Sequence, residues 1–256
     1  MTPTGSYKPY YDAIVCGAPL PDRLAAPFQV TGLIHLLVVS GTHLIFLSEL
    51  LRRAGIQRFE IHAAILSGFV VMTGGQAPAL RALAALILGA LSRWLGLSWS
   101  HLDVTLASGM LLWALFPELI TKLSFLLSWA AALSLSLTGG GGLKRHIAMF
   151  AFLYPVLAPL APPHPASIFF NWLFAPVVGS FLFPASLAAT LVPPLATASN
   201  LLWSVTETVL TTLAMGLTPL PPADPPPRAA LWVYLWSLHL GAHGYRVWAA
   251  RRGDAA

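Results

Sequence analysis

The sequence predicts an all-α fold, a polytopic membrane protein with roughly seven to nine transmembrane or re-entrant helices. Three observations predict it. Of 256 residues, 57% are hydrophobic and only 9% are charged, against about a quarter charged in ordinary globular domains. The mean hydropathy is +0.73, so a large apolar surface has to face lipid. Apolar runs of helix length also recur from Thr31 onward, separated by Gly- and Pro-rich breaks. Together these exclude a soluble globular domain.

The net charge of +5 and pI near 9.7 would suggest a nucleic-acid partner in a soluble protein. In a membrane protein, basic residues gathered at cytoplasmic helix ends account for them first. Cys16 is the only cysteine, which excludes an intramolecular disulfide and a cysteine metal cluster. The N-terminus lacks a basic region followed by an apolar one, so a cleaved signal peptide is not expected.

Residues 1–27 are rich in Pro, Gly and Tyr and read as an exposed lead-in, with a short helix near Ala13. The first membrane helix is expected over Thr31–Arg53, followed by the polar loop RRAGIQRFE. On one helix, His35, Thr42, Glu49 and Arg53 fall within about 40° of each other. Gly41 and Ser48 lie on a roughly opposite stripe, and Gly41 is expected at a close helix–helix contact. A second segment, about Phe59–Thr73, ends at Gly74-Gly75 and is short enough to be re-entrant. Pro78 suits the first turn of a third helix to about Leu97, in which Ala82, Ala85 and Gly89 form a small-residue stripe. A fourth runs from His101 to before Pro117, and a fifth from about Glu118 to Leu137. Gly139–Gly142 with Lys144 and Arg145 reads as a flexible loop, because no phosphate-loop pattern surrounds it. A sixth covers about His146–Leu160. The seventh, about Ser167–Val192, holds Pro176 and Pro184 and should be kinked or broken. The eighth spans about Leu195–Leu217. PLPPADPPPR is a stiff connector, Ala229–Trp248 forms a ninth segment, and residues 249–256 are a C-terminal tail.

If the Arg52–Arg58 loop is cytoplasmic, then Arg93, Lys144, Arg145, Arg246, Arg251 and Arg252 fall on the same side. The count favours an outside N-terminus and a cytoplasmic C-terminus.

Ionisable and polar groups inside apolar segments are the candidates for function. Asn200, Ser204, Glu207 and Thr211 share one face of the eighth segment, and Thr121, Ser124 and Ser128 do so more weakly in the fifth. The Ser and Thr groups also suit plain packing between helices, whereas Glu49 and Glu207 favour a functional or water-lined setting. Arg81 fits two readings equally: a guanidinium snorkelling or paired with Glu49 or Glu118, or a bidentate phosphate contact at a pore mouth. His239 and His243 have zinc-helix spacing, but Leu240 stands where that motif needs glutamate. His35 and His43 are about 80° apart around a helix, poor for chelation. No catalytic residue, metal site or cofactor is expected.

The stretch GLIHLLVVSGTHL, with Gly32, His35, Leu36, Leu37, Ser40, Gly41 and His43, resembles the G-x-x-H-L-L-x-x-S-G-x-H segment of the ComEC-type competence proteins. The lead-in GAPLPDRLAAPFQVT matches as well. In the same order, Thr73-Gly74-Gly75 with Arg81-Ala82, Asp103 to Pro117, Ser124-Phe125-Leu126-Leu127-Ser128, and Asn171 with Pro176 are similar to later family segments. Gln76-Ala77-Pro78 departs from the family's usual Ser- and Val-rich stretch. The resemblance covers about residues 13–215 and implies a transmembrane competence domain over 28–248, without the OB-fold and metallo-β-lactamase-like domains of larger relatives.

The resemblance further implies a multi-pass protein of the bacterial inner (cytoplasmic) membrane that conducts single-stranded DNA during natural transformation and is not an enzyme. Its partners would be single-stranded DNA and the lipid bilayer. Conduction needs a water-lined route and positive potential for phosphates. Arg81, Arg52 and Arg53 supply little of the latter, which leaves other DNA-uptake proteins and self-association to complete the path. The alternative is a proton-coupled transporter of small or lipid-linked solutes working through Glu49 and Glu207. An intramembrane hydrolase built on His35, His43, His62 or Asp103 is a third class, with no motif behind it.

Overall fold

The structure, a computed structural model, describes residues 7–37, 41–138, 141–159, 162–218, 220–221, 224 and 226–252. Among these residues every regular element is helical. In chain order they are α1 (Lys8–Cys16), α2 (Asp22–Val30), α3 (Gly41–Arg53), α4 (Phe59–Met72), α5 (Ala77–Trp94) and α6 (His101–Leu115). There follow α7 (Leu123–Thr138), α8 (Leu143–Leu157), α9 (Ser167–Val177), α10 (Phe183–Leu191), α11 (Ala196–Met215) and α12 (Arg228–Arg252). The chain forms two compact units: unit 1 is Met1–Gln76 with Ala161–Pro222, and unit 2 is Ala77–Leu160 with Ala223–Ala256.

In unit 1 the expected helix Thr31–Arg53 is not one helix. α2 ends at Val30, and Gly32 takes a left-handed φ of 73°. The Gly32 N–H returns to the Gln29 carbonyl and the Leu33 N–H to the Phe28 carbonyl, at 3.0 and 2.7 Å. This paired pattern is a Schellman C-cap, which spends glycine's freedom on stopping a helix. A 3₁₀ turn over Ile34–Leu36 follows, and α3 covers Gly41–Arg53. His35 therefore lies on the 3₁₀ turn, Thr42, Glu49 and Arg53 lie on α3, and Ser40 lies outside the described residues.

The lead-in also differs from its expected exposure. α1 includes the expected helix at Ala13, but Tyr10, Tyr11 and Ile14 are buried in the same apolar core as Phe28, Phe183 and Trp203. Tyrosine and isoleucine at spacings of three and four give α1 one apolar face, and burying such side chains contributes roughly 1.5–3 kcal/mol each. Between α9 and α10 the backbone makes a π-helical turn over Val178–Leu182. Pro184 has no N–H to return to the Ser180 carbonyl, so the ladder shifts by a residue to pass it. The expected break in this segment is thus a widened turn within continuous helix.

Unit 2 is built from α5, α6, α7, α8 and α12. Its core includes Leu102, Phe125, Trp129, Leu133, Val156 and Leu235. Gly109 of α6 lets the Trp129 indole lie directly on the helix, since a Cβ there would overlap the ring. The fifth sequence segment divides here: Pro117–Thr121 is a 3₁₀ turn and the helix starts at Leu123. α6 starts with a capping box: Ser100 Oγ accepts from the Asp103 N–H while Asp103 accepts from the Ser100 N–H, satisfying donors that a helix start leaves free. Asp103 is also ion-paired with Arg246 of α12, and Thr105 meets Ser136 of α7 at 3.0 Å. These contacts gather the start of α6, the end of α7 and the end of α12 at one end of the unit. Short connections then bring Arg93, Lys144 and Arg145 to that same end.

Candidate functional site

The motif residues of unit 1 meet where the α2–α3 connection crosses α9. Ser167 and Asn171 lie one turn apart on α9. Asn171 Nδ2 donates to the Ser167 carbonyl at 2.8 Å and reaches the Gly32 carbonyl at 3.4 Å. A Cβ on Gly32 would stand 2.7 Å from Ser167 Cβ. Two stretches 139 residues apart in sequence are thus held together by α9 side chains against the Gly32 backbone, and Gly32 serves both its cap and this approach. His43 is buried, 3% exposed, with its ring edge-on to Phe183 at 4.5 Å. Gly41 is half-buried at the start of α3, and next to it Thr42 Cγ2 stands 3.7 Å from where a Gly179 Cβ would be. Farther along α3, Ser48 lies 2.9 Å from His62 of α4. His35 is exposed on its 3₁₀ turn.

Glu49 stands one turn from the end of α3, where Arg52 and Arg53 hold its two oxygens at 2.5 and 2.9 Å. Its side chain is 39% exposed, so this is a half-exposed, locally paired carboxylate.

The polar face of α11 is met by α1. Tyr11 donates its hydroxyl to Asn200 Oδ1 at 2.6 Å, and Tyr10 donates to Glu207 Oε1 at 2.9 Å. The Tyr10 ring stacks on Trp203 at 4.7 Å, whose Nε1–H donates to Ser186 of α10 at 2.9 Å. Burial first, then the Glu207 hydrogen bond, raises the Tyr10 phenol above the ordinary tyrosine range. Sequence reasoning missed both tyrosines. Their only signal was an aromatic pair in a Pro- and Gly-rich lead-in, 189 and 197 residues from their partners.

In unit 2, Arg81 projects from the second turn of α5, and its Nε–H donates to Ser128 of α7 at 2.8 Å. That contact fixes the guanidinium plane and leaves its two terminal nitrogens for another acceptor. Ser124, one turn earlier on α7, is exposed. Arg81 and Ser128 are brought together here, and Glu49 pairs with its own helix neighbours. Among the described residues no group of three His, Cys, Asp or Glu side chains converges as a metal site.

A family model described as Competence protein matches residues 17–249. No curated protein and no solved structure matches the chain.

Proposed function

Since the chain belongs to the Competence protein family, that of the ComEC competence domain, we propose that it is a channel conducting single-stranded DNA across the bacterial inner membrane in natural transformation. Membership ties it to competence and DNA uptake, and its apolar helices make it a membrane protein. The family match over residues 17–249 carries the reading.

Three segments, Ile34–Arg53 (counted through residues 38–40), Ala77–Trp94 and Ser167–Leu191, are long and apolar enough to cross a membrane by length and composition. α4, α6 and α7 are shorter apolar helices. With α8, α11 and α12 they would make the multi-pass architecture of roughly seven to nine spanning or re-entrant segments. The basic end of unit 2 we assign to the cytoplasm by the positive-inside rule.

The protein would act by positioning and electrostatics, without catalysis. Arg81 sits in a membrane-length helix, and a guanidinium there is costly unless it meets protein, water or an anion. Ser128 orients its planar fork, which suits the paired oxygens of a phosphodiester. Arg52 and Arg53 add positive charge at the end of α3, moderated by Glu49. Partners in uptake, or further copies of the chain, would extend the path.

The test is transformation frequency in a host lacking its own copy, normalised to protein level in the membrane. Arg81→Lys should lower uptake about tenfold or more while the protein still folds, because lysine cannot fork; normal uptake would remove the phosphate role. Glu49→Gln should preserve or raise uptake by removing a negative charge from the route. Its loss would instead favour a proton-coupled carrier.

A further inference from the structure

Unit 2 contains a cleft that the DNA route does not use. It lies open between α6 and α12, has a volume of about 270 Å³, and is bordered by Asp103, Leu106, Met110, His239, His243 and Arg246 among others. A shallow patch on α12, made by Arg246, Val247, Ala250 and Arg251, adjoins it through the shared Arg246.

The lining is graded along the helices. Leu106 and Met110 lie about one and two turns into α6 from Asp103, toward the middle of the apolar helix. His243, Arg246 and Arg251 climb the last turns of α12, with Trp99 just before α6. The inner end of the cleft is therefore apolar on its α6 side, where His239 and His243 face it from α12, and the outer end carries Arg246 and the Trp99 indole. That is the sequence of surfaces along a phospholipid, from acyl chain through phosphate to headgroup, and interfacial Trp and Arg side chains match the headgroup depth.

The charge balance fits an anion. Asp103 is the carboxylate in the cleft, and its oxygens are already engaged. Oδ2 accepts from the Ser100 N–H and hydroxyl at 2.8 and 2.9 Å, and Oδ1 pairs with Arg246 Nη1. The ion pair orients Arg246, and a guanidinium with five N–H donors keeps further donors on its outer edge. Arg246 is neutralised by Asp103, and Arg251 supplies the surplus positive charge.

We propose that this cleft binds an anionic phospholipid, its phosphate held between Arg246 and Arg251 and one acyl chain lying along Leu106 and Met110. Basic hollows between membrane helices commonly take anionic headgroups, each basic residue contributing about 1 kcal/mol at the surface. Bound lipid would tie the weakly joined α6 and α12 together at their charged ends.

The test reads the thermal unfolding midpoint of the full chain reconstituted in phosphatidylcholine vesicles with increasing phosphatidylglycerol. Phosphatidylglycerol should raise the midpoint saturably. Arg251→Gln should shift the half-effect to about fivefold more phosphatidylglycerol, with the midpoint in pure phosphatidylcholine unchanged. Ala107→Phe, which fills the apolar part of the cleft, should abolish the rise; if that variant does not fold, Arg251→Gln decides alone. Equal midpoints in the two lipids, or an unchanged response in Arg251→Gln, would overturn the proposal. So would an equal rise produced in phosphatidylcholine by inorganic phosphate or by a thymidine oligonucleotide, which would point to a free anion or to the DNA strand.

Discussion

Gly32 combines two demands that usually fall on different residues. Its φ of 73° would cost an alanine roughly 1–2 kcal/mol, and the added Cβ would press on Ser167 for roughly 1–3 kcal/mol more. Gly55 has a similar φ of 80° with nothing within 4 Å, so it isolates the backbone part. Gly32→Ala should therefore lower the unfolding midpoint in detergent more than Gly55→Ala. Adding Ser167→Gly should recover only the clash. If the two single variants are equally destabilised, the close approach to α9 contributes nothing. The sequence displayed the Gly32, His35 and His43 pattern plainly, but it could not display why Gly32 is there. An apolar run continuing through Thr31 and Gly32 looks like uninterrupted helix, because periodicity records sidedness and is blind to a single left-handed residue.

At the scale of the element, α1 and α11 behave as a pair. Removing the Tyr10 hydroxyl deprives the Glu207 carboxylate of a hydrogen bond worth roughly 1.5–3 kcal/mol, whereas Glu207→Gln keeps an acceptor and drops the charge. Tyr10→Phe and Glu207→Gln should each destabilise, and together cost less than their sum, by about 1 kcal/mol in a double-mutant cycle. Strict additivity would mean the contact is incidental. The pair also has a pH signature. The folded Tyr10 phenol titrates above its ordinary value of 10.0, so the unfolded chain loses its proton first. Stability is retained below about pH 10 and falls as pH rises beyond it, and Tyr10→Phe should flatten that alkaline fall in unfolding measurements. Most helices from α4 to α11 were legible from sequence because a segment crossing lipid must close its backbone bonds internally, which makes an apolar run and a helix nearly the same thing. α1 was legible only as a short helix. Its burial depends on partners nearly two hundred residues away, and Pro, Gly and Tyr around it read as solvent-facing chain.

For the whole molecule, charge and contact agree within unit 2. Arg93, Lys144, Arg145, Arg246 and Arg251 lie at the end defined by the Asp103–Arg246 and Thr105–Ser136 contacts. With that end in the cytoplasm, as proposed, a cysteine at position 142 of a Cys16→Ser protein should react with an impermeant maleimide only after the membrane is opened. Labelling in intact spheroplasts would reverse the orientation. The same chain crosses between its two units at Gln76–Ala77, Leu160–Ala161 and Pro222–Ala223. Its order of synthesis is therefore out of step with its order of assembly. Tyr10, Phe28 and Leu33 emerge early, yet Phe183 and Trp203, against which they pack, arrive only after most of unit 2 has been made. At about 5–20 residues per second, that leaves the first half of unit 1 waiting roughly 5–25 s on the ribosome, a delay during which an insertase or the lipid itself has to shelter its unmatched face.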